Sequence, residues 1–471
     1  MEKQNNNNLL LGMSVFGAIF FIFGFATTFI ITLSAPVKAI FGLSEFEAQL
    51  LSSAFFIAYP IMSIPSGKVI DKIGYKKTVM AGLILMAIGS FIYIPAARIP
   101  SFPIFLIGTF VLAIGVVFLQ VAANPYVTAI GPEKTASSRL NLTQALNSIA
   151  TMVAPWLISV AIFKGLQLVE TADLINLKST NTEAYNSALQ QARFAADRVP
   201  LPFIIMGIIV ILVALVIFFI KLPVLEPGKR EKKSIWKYPH VVLGSIAIFG
   251  YVGCEVGNAG LIVNYLKTNL LMSAEMASTY AAIYWGGAMV GRFFGSFMFS
   301  DMKSSKKITY ALPVLILALL AGSFVTEWNW TIGLTFTGIA LVNFIIMQIG
   351  TGKAARTLAI FALVAALLDL TTTFTTGQVA LWTVISIGLF NSIMFPNIFS
   401  LAIKDLDNAE LSSASGIINS LIVGGAIIPP LMGSIADHFG YTWAFLLPAI
   451  GYIYIFYYAV KGNAIRVAEH I

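Results

Sequence analysis

Residues 120–147 read QVAANPYVTAIGPEKTASSRLNLTQALN, two apolar stretches dotted with carboxamides and joined by a short turn that carries basic residues. Carboxamides at membrane depth are costly unless partnered, because lipid offers them no hydrogen bonds. Gln120 and Asn124 stand four residues apart, and Asn141, Gln144 and Asn147 recur at steps of three. Each set therefore occupies one helical face, where it can line a shared cavity. Pro125 interrupts the first helix just after its amides.

The rest of the chain places these helices in a membrane. Of 471 residues, 58% are hydrophobic and 11% charged, with a mean hydropathy of +0.87. A soluble chain of this size cannot hide so much apolar surface, so the composition predicts an all-α polytopic membrane protein in contact with a lipid bilayer. The net charge of +8 does not point to nucleic acid, because the basic residues lie in short loops and form no continuous patch. The single cysteine, Cys254, excludes an intramolecular disulfide. The polar start MEKQNNNN leads into a span too long for a signal-peptide core and reads as an uncleaved first helix. The histidines, His240, His438 and His470, fall at span ends or in the tail, so no metal cluster and no cofactor site suggests itself. No glycine-rich phosphate loop follows a strand pattern, which leaves ATP-driven transport without support.

Fourteen apolar spans of bilayer length are expected, six before a basic linker and eight after it. The predicted organisation is a polar tail (1–9), a first bundle (10–221) with an outer loop (164–199) of helical potential, the linker (222–239), a second bundle (240–461) and a tail (462–471). With both termini inside, Lys68, Lys72, Lys76, Lys77, Lys134, Arg139, the 221–237 cluster, Lys303, Lys306, Lys307, Lys353, Arg356, Lys404 and Lys461 fall on the cytoplasmic side, as the positive-inside rule demands. Lys353 and Arg356 reach that side only if both flanking spans cross, which favours fourteen spans over twelve. GKVIDKIGYKK (67–77) after the second span is echoed by GRFFGSFMFSDMKSSKK (291–307) after the eighth, with Asp71 and Asp301 at matching places. Duplicated halves around a linker are a common plan of secondary transporters.

Glu255, in YVGCEVGNAGLIVNYL, is the carboxylate set deepest in an apolar span. At 1.5 Å per residue it lies roughly 20 Å from the inner end of its helix, and an ionisable group there is a candidate functional site. Asn258 one turn on shares its face, and Gly253 and Gly257 permit close helix approach. Asp369 sits near the outer end of its span and is expected at the interface. Tyr280, Tyr284 and Trp285 could stack on a sugar ring or simply pack, while Gly287, Gly291 and Gly295 form a seam for helix contact. Arg292 at the cytoplasmic end is expected in the gating loop. The amides themselves have an alternative role as glue between helices. Five of them on adjoining helices favour a polar cavity, and carboxamides offer both donors and acceptors to sugar hydroxyls.

The stretch AANPYV…RLNLTQALN, the loop G-x-x-x-D-K-x-G-x-K-K, and FNSIMFP (390–396) resemble motifs of the fucose-galactose-glucose symporter branch of the major facilitator superfamily. IVGGAIIPPLMGSIADHFGY supports the same likeness. The resemblance implies two pseudo-symmetric six-helix bundles, here with two extra helices inserted at 328–373, and transport of a monosaccharide such as a hexose, fucose or amino-hexose. It implies a substrate cavity at Gln120, Gln144 and Asn147, to which Asn124, Asn258, Trp285 and Asn391 are added as candidates. Asp71, Lys72, Lys76 and Lys77, with Arg292, would form the cytoplasmic gate. Two departures matter. The family's acidic residue before A-A-N-P is Gln120 here, and its first-helix Asn-Asp pair aligns with Ile30 and Ile31 in GFATTFIITLSAP. Neither replacement titrates near neutral pH. A coupling proton would then ride on Glu255; alternatively Glu255 and Asn258 hold sodium, or the carrier is an uncoupled facilitator.

The resulting expectation is a cation-coupled monosaccharide importer, not an enzyme, acting as a monomer in a bacterial-type inner membrane. A sugar sensor that binds without transporting, and an exporter of amphipathic compounds, are the rivals. The first lacks an obvious output domain and the second an apolar cavity lining.

Overall fold

The computed structural model describes residues 2–99, 101–130, 136–166, 171–220, 222, 237–299, 302–406, 414 and 416–465. Nearly all of them are helical, and thirteen helices among them are long and apolar enough to cross a membrane. The fourteenth expected span, α10 (Ala274–Met298), matches the others in length but is rich in small and polar residues. It can be so because most of its surface is buried by other helices and little faces lipid.

The first half comprises α1 (Glu2–Phe41), α2 (Glu45–Phe56), α3 (Ala58–Arg98), α4 (Phe102–Ala129), α5 (Ala136–Ile158) and α8 (Pro200–Phe219). The outer loop folds into two short helices, α6 (Thr171–Thr180) and α7 (Thr182–Arg198), matching its helical potential. α2 starts at a capping box, in which Ser44 Oγ accepts from the Glu47 amide at 3.1 Å and Glu47 Oε2 accepts from the Ser44 amide at 2.9 Å. α3 completes the second span, which α2 begins, and forms the third after a break at Gly74, whose φ of 78° lies where only glycine is unstrained. That glycine stands in the Asp71–Lys77 loop, so the motif's glycine serves the turn. Gly440 (φ 93°) does the same in the loop after Asp437, where D-x-x-G-Y recurs.

The second half comprises α9 (Pro239–Leu270), α10, α11 (Ser304–Val325), α12 (Trp330–Ile349), α13 (Ala354–Phe374), α14 (Gly377–Asn391), α15 (Met394–Ala402), α16 (Gly424–Phe439), α17 (Tyr441–Ala444) and α18 (Leu446–Tyr457). α9 is the most enclosed span. Its glycines permit this: a Cβ on Gly253 would lie 2.2 Å from Ile428, and one on Gly257 2.3 Å from Met432. The α10 glycine seam is equally tight, with a Cβ on Gly291 falling 2.1 Å from Ser392 Oγ.

The halves meet through reciprocal pairings. α2 packs on α16, and α5 packs on α10, so the second span of each half meets the penultimate span of the other. The peripheral helix pair differs from the expected 328–373. α11 and α12 pack mainly on one another and on α10, and they expose Ile308, Leu312, Ile316, Leu334 and Ile345. α13, expected as part of that pair, instead packs against α14, α15 and α18 within the bundle. The linker at 223–236, Asp301 and the tail beyond 465 lie outside the described residues.

Candidate functional site

Glu255 sits in the middle of α9 and is 9% exposed. Its Oε1 accepts the Tyr251 hydroxyl at 2.7 Å and stands 3.9 Å from Arg292 Nη2 on α10. Arg292 Nη1 in turn donates to Ser148 Oγ on α5 at 2.8 Å, which carries the cluster across the boundary between halves. Arg292 was expected in the cytoplasmic gate; its length lets the guanidinium reach back to mid-depth, where Glu255 provides the opposing charge. A paired carboxylate at this depth is far less costly than an isolated one.

Behind Glu255 stands a shell of tyrosines. Tyr284 donates to the Glu255 carbonyl at 3.3 Å and accepts from Asn391 Nδ2 at 3.0 Å. Asn391 Oδ1 accepts from Tyr452 at 2.7 Å. The Asn391 amide is thus engaged on both sides and fully buried, so it positions Tyr284 and does not face an open cavity. Trp285, also buried, meets Tyr284 edge-on with ring centroids 5.5 Å apart.

In the first half, Gln120 is half-buried beside the Tyr59 hydroxyl. Asn124 is half-buried one turn further along α4. Gln144 is half-buried on α5, and its carbonyl accepts the Ser148 hydroxyl at 2.9 Å, placing it one turn from the Arg292 contact. Asn147 is 8% exposed and donates through Nδ2 to the Phe20 carbonyl at 3.0 Å. It packs so closely on α1 that a Cβ on Gly24 would lie 2.3 Å from Nδ2. Of the two roles weighed for these amides, Asn147 therefore acts as helix glue. The side chains of Asn141 and Asp71 lie outside the described residues. Lys76 donates to the carbonyls of Phe218 and Ile220 at 2.9 and 2.7 Å, capping the end of α8 within its own half. Lys72 and Lys77 are exposed.

Asn258 does not share Glu255's surroundings. It is fully buried and faces Asp369 on α13, and neither side chain completes a hydrogen bond within 3.5 Å. Asp369 was expected at the interface; it is 0% exposed because α13 belongs to the bundle.

A second constellation escaped the sequence reading. At one end of the bundle, Glu45 at the start of α2 accepts from Gln49 (2.9 Å), Asn264 (2.9 Å) and Tyr441 (2.8 Å), and pairs with Lys38 at 3.2 Å. Lys38 also donates to the Tyr441 hydroxyl. Asp437 at the end of α16 accepts the backbone N–H groups of Glu45 (2.7 Å) and Phe46 (2.8 Å), capping α2 from the opposite half. Ser159, just beyond α5, donates to the Glu275 carbonyl of α10, and Ser278 of α10 donates to the Pro155 carbonyl of α5, near the same end. Cross-half bonds among the described residues concentrate between mid-depth and this end, which is therefore closed. The only sequence signal was the D-x-x-G-Y repeat.

The chain matches the Major Facilitator Superfamily over residues 15–423. A glucose/galactose transporter of Brucella abortus is 37% identical over 469 residues, covering 98% of this chain and 96% of its own. The L-fucose-proton symporter of Escherichia coli K12 is 28% identical over 469 residues, covering 97% and 94%. The crystal structure of an Escherichia coli fucose:proton symporter superposes with a TM-score of 0.62 at 27% identity, covering 96% of this chain and 98% of that one.

Proposed function

Because this chain belongs to the major facilitator superfamily, in its fucose-galactose-glucose symporter branch, we propose that it carries a hexose-type monosaccharide by alternating access, driven by a cation. The observation that carries this reading is the Glu255–Arg292–Ser148 bridge, which spans both halves at mid-depth beneath a closed end. A sugar wedged between the halves finds there a carboxylate, a guanidinium, a hydroxyl and, one turn away, the Gln144 amide. These are the donors and acceptors its hydroxyls need. The other candidate side chains divide the work: Gln120 and Asn124 would extend the polar wall, while Asn391, Trp285 and Asn147 support it from behind.

With the Glu45 end closed, substrate would exchange through the opposite end, where Lys72, Lys76 and Lys77 lie. Their basic loop supports reading that end as the cytoplasmic one, with both termini there, in an inner membrane. Import then requires the Glu45 cluster to open, receive sugar and close again. A coupling cation would bind at one of two carboxylates buried within the second half, Glu255 or Asp369. The chain acts as a carrier and not as an enzyme.

Labelled glucose, galactose and fucose uptake into proteoliposomes tests this reading, under a pH gradient, a sodium gradient or neither. Accumulation above equilibrium with either gradient supports a coupled carrier. Equilibration alone would make it a facilitator, and no flux with any sugar would reject the substrate class.

A further inference from the structure

We propose that Asp369 and Asn258 form the coupling site of this carrier and that the cation held there is a proton, carried on the Asp369 carboxyl. The inference rests on the reading of the chain as a coupled sugar carrier. Asp369 lies on α13 and Asn258 on α9, both 0% exposed, and both oxygens of the first and both polar atoms of the second lack hydrogen bonds. A carboxylate charged in such surroundings would forfeit its hydration for nothing, whereas the neutral acid loses far less. Asn258 is the complement a neutral acid wants: its carbonyl can accept the carboxyl O–H while its NH2 donates to the other oxygen.

The neighbours leave no competing charge. Cys254 on α9, Tyr284 on α10 and Tyr452 on α18 act on Asp369 electrostatically, and none is charged near neutral pH. α12, α14 and α15 carry no titratable side chain. Tyr441 is bound to Glu45 at one end, and Tyr458 bonds the His240 carbonyl. Lys461 lies near the end of the π-helical segment (Tyr458–Gly462) that continues α18. A hard metal cation collects a full shell of oxygens. Here the Tyr284 hydroxyl already donates to the Glu255 carbonyl and accepts from Asn391, and the oxygens left without a partner at this site are those of Asp369 and Asn258, short of such a shell. Glu255, by contrast, already holds Arg292 and Tyr251, so it is balanced without a proton. Each cycle would form the carboxyl O–H bond with a proton from water on one side and break it to water on the other.

The test is the infrared spectrum of the lipid-reconstituted full chain at neutral pH, followed by sugar uptake in the same vesicles. Wild type should show the carbonyl stretch of a protonated carboxylic acid, retained in Glu255→Gln and lost in Asp369→Asn. Absence of the band in wild type, or its persistence in Asp369→Asn, overturns the proposal. Should Asp369→Asn fail to insert, Asn258→Leu must shift the band, and an unmoved band overturns the pairing. In uptake, a pH gradient should concentrate sugar several-fold in wild type and only to a ratio near one in Asp369→Asn. Accumulation driven by sodium alone overturns the proton assignment. Loss of the band in Asp369→Asn without sugar flux in wild type would reject the substrate reading while keeping the buried acid.

Discussion

Arg292 and Ser148 are joined by a 2.8 Å hydrogen bond that crosses from the second half of the molecule to the first. The same guanidinium faces Glu255 at 3.9 Å, so one side chain links the deep carboxylate of α9 to the amide-bearing face of α5. Any movement that separates the halves at this depth must break or stretch that link. The candidate site and the conformational change are therefore mechanically connected.

Glu255→Gln removes the charge that faces Arg292 and leaves a half-buried guanidinium without its counterion. Hydrogen bonds to charged groups contribute about 1.5–3 kcal/mol, so sugar uptake is expected to fall by about 10-fold to 100-fold. Arg292→Lys should fall comparably, because an ammonium cannot reach Ser148 and Glu255 with one rigid fork. Initial uptake rates normalised to the amount of inserted protein check both, and full activity in either variant would remove the pair from the site.

Glu45→Gln weakens the closed end, since Glu45 gathers Lys38, Gln49, Asn264 and Tyr441. Removing a buried charge that satisfies several partners shifts a two-state balance by about 1–3 kcal/mol, enough to populate the open form. Spin labels at Phe46→Cys and Phe439→Cys, both exposed, would report it, with the lone native Cys254 buried and silent. A longer-distance population in Glu45→Gln is the expected result; an unchanged distribution would show that the cluster does not hold the end shut.

Asp437→Asn replaces the carboxylate that caps α2 across the halves. Losing the charged partner of a helix N-terminus costs about 1 kcal/mol, and a lower thermal midpoint in detergent should follow. Gly440→Ala, nearby, would force a side chain into φ 93° and cost about 1–2 kcal/mol. If both melt like wild type, the turn and its cap are not under the constraint described.

Gly24→Val drives branched carbon into the space held by the Asn147 amide, where even a Cβ would sit 2.3 Å from Nδ2. Overpacking of that kind costs about 1–3 kcal/mol. Asn147→Leu has a double effect, losing the bond to Phe20 and crowding α1, so it should reduce stability together with uptake. A melting curve separates this from a pure substrate-contact defect, in which only uptake would drop.

Much of the site was legible one residue at a time. Glu255 stood out as a carboxylate deep in an apolar span, and Gln144 as part of an amide-bearing face. Arg292 and Asp369 were misplaced for a shared reason. Their positions along a helix were readable, but the reach of a long side chain and the burial of a helix face depend on what packs beside them. The Glu45 cluster was hidden because Glu45 and Tyr441 lie at opposite ends of the chain, and neither carries a local motif that names the other.

The amino-acid sequence by itself determined that this is a polytopic helical membrane protein built from two related halves. Apolar span length, loop charge and glycine-bearing turns such as Gly74 are local properties that lipid and water read directly. Only the tertiary structure decided which helices form the bundle and which lie outside it. Lipid tails are as apolar as a helix interior, so hydropathy alone does not distinguish α11 and α12, which face outward, from α13, which faces α18. That difference put Asp369 beside Asn258, with no bonded partner for either, in the buried interior of the second half.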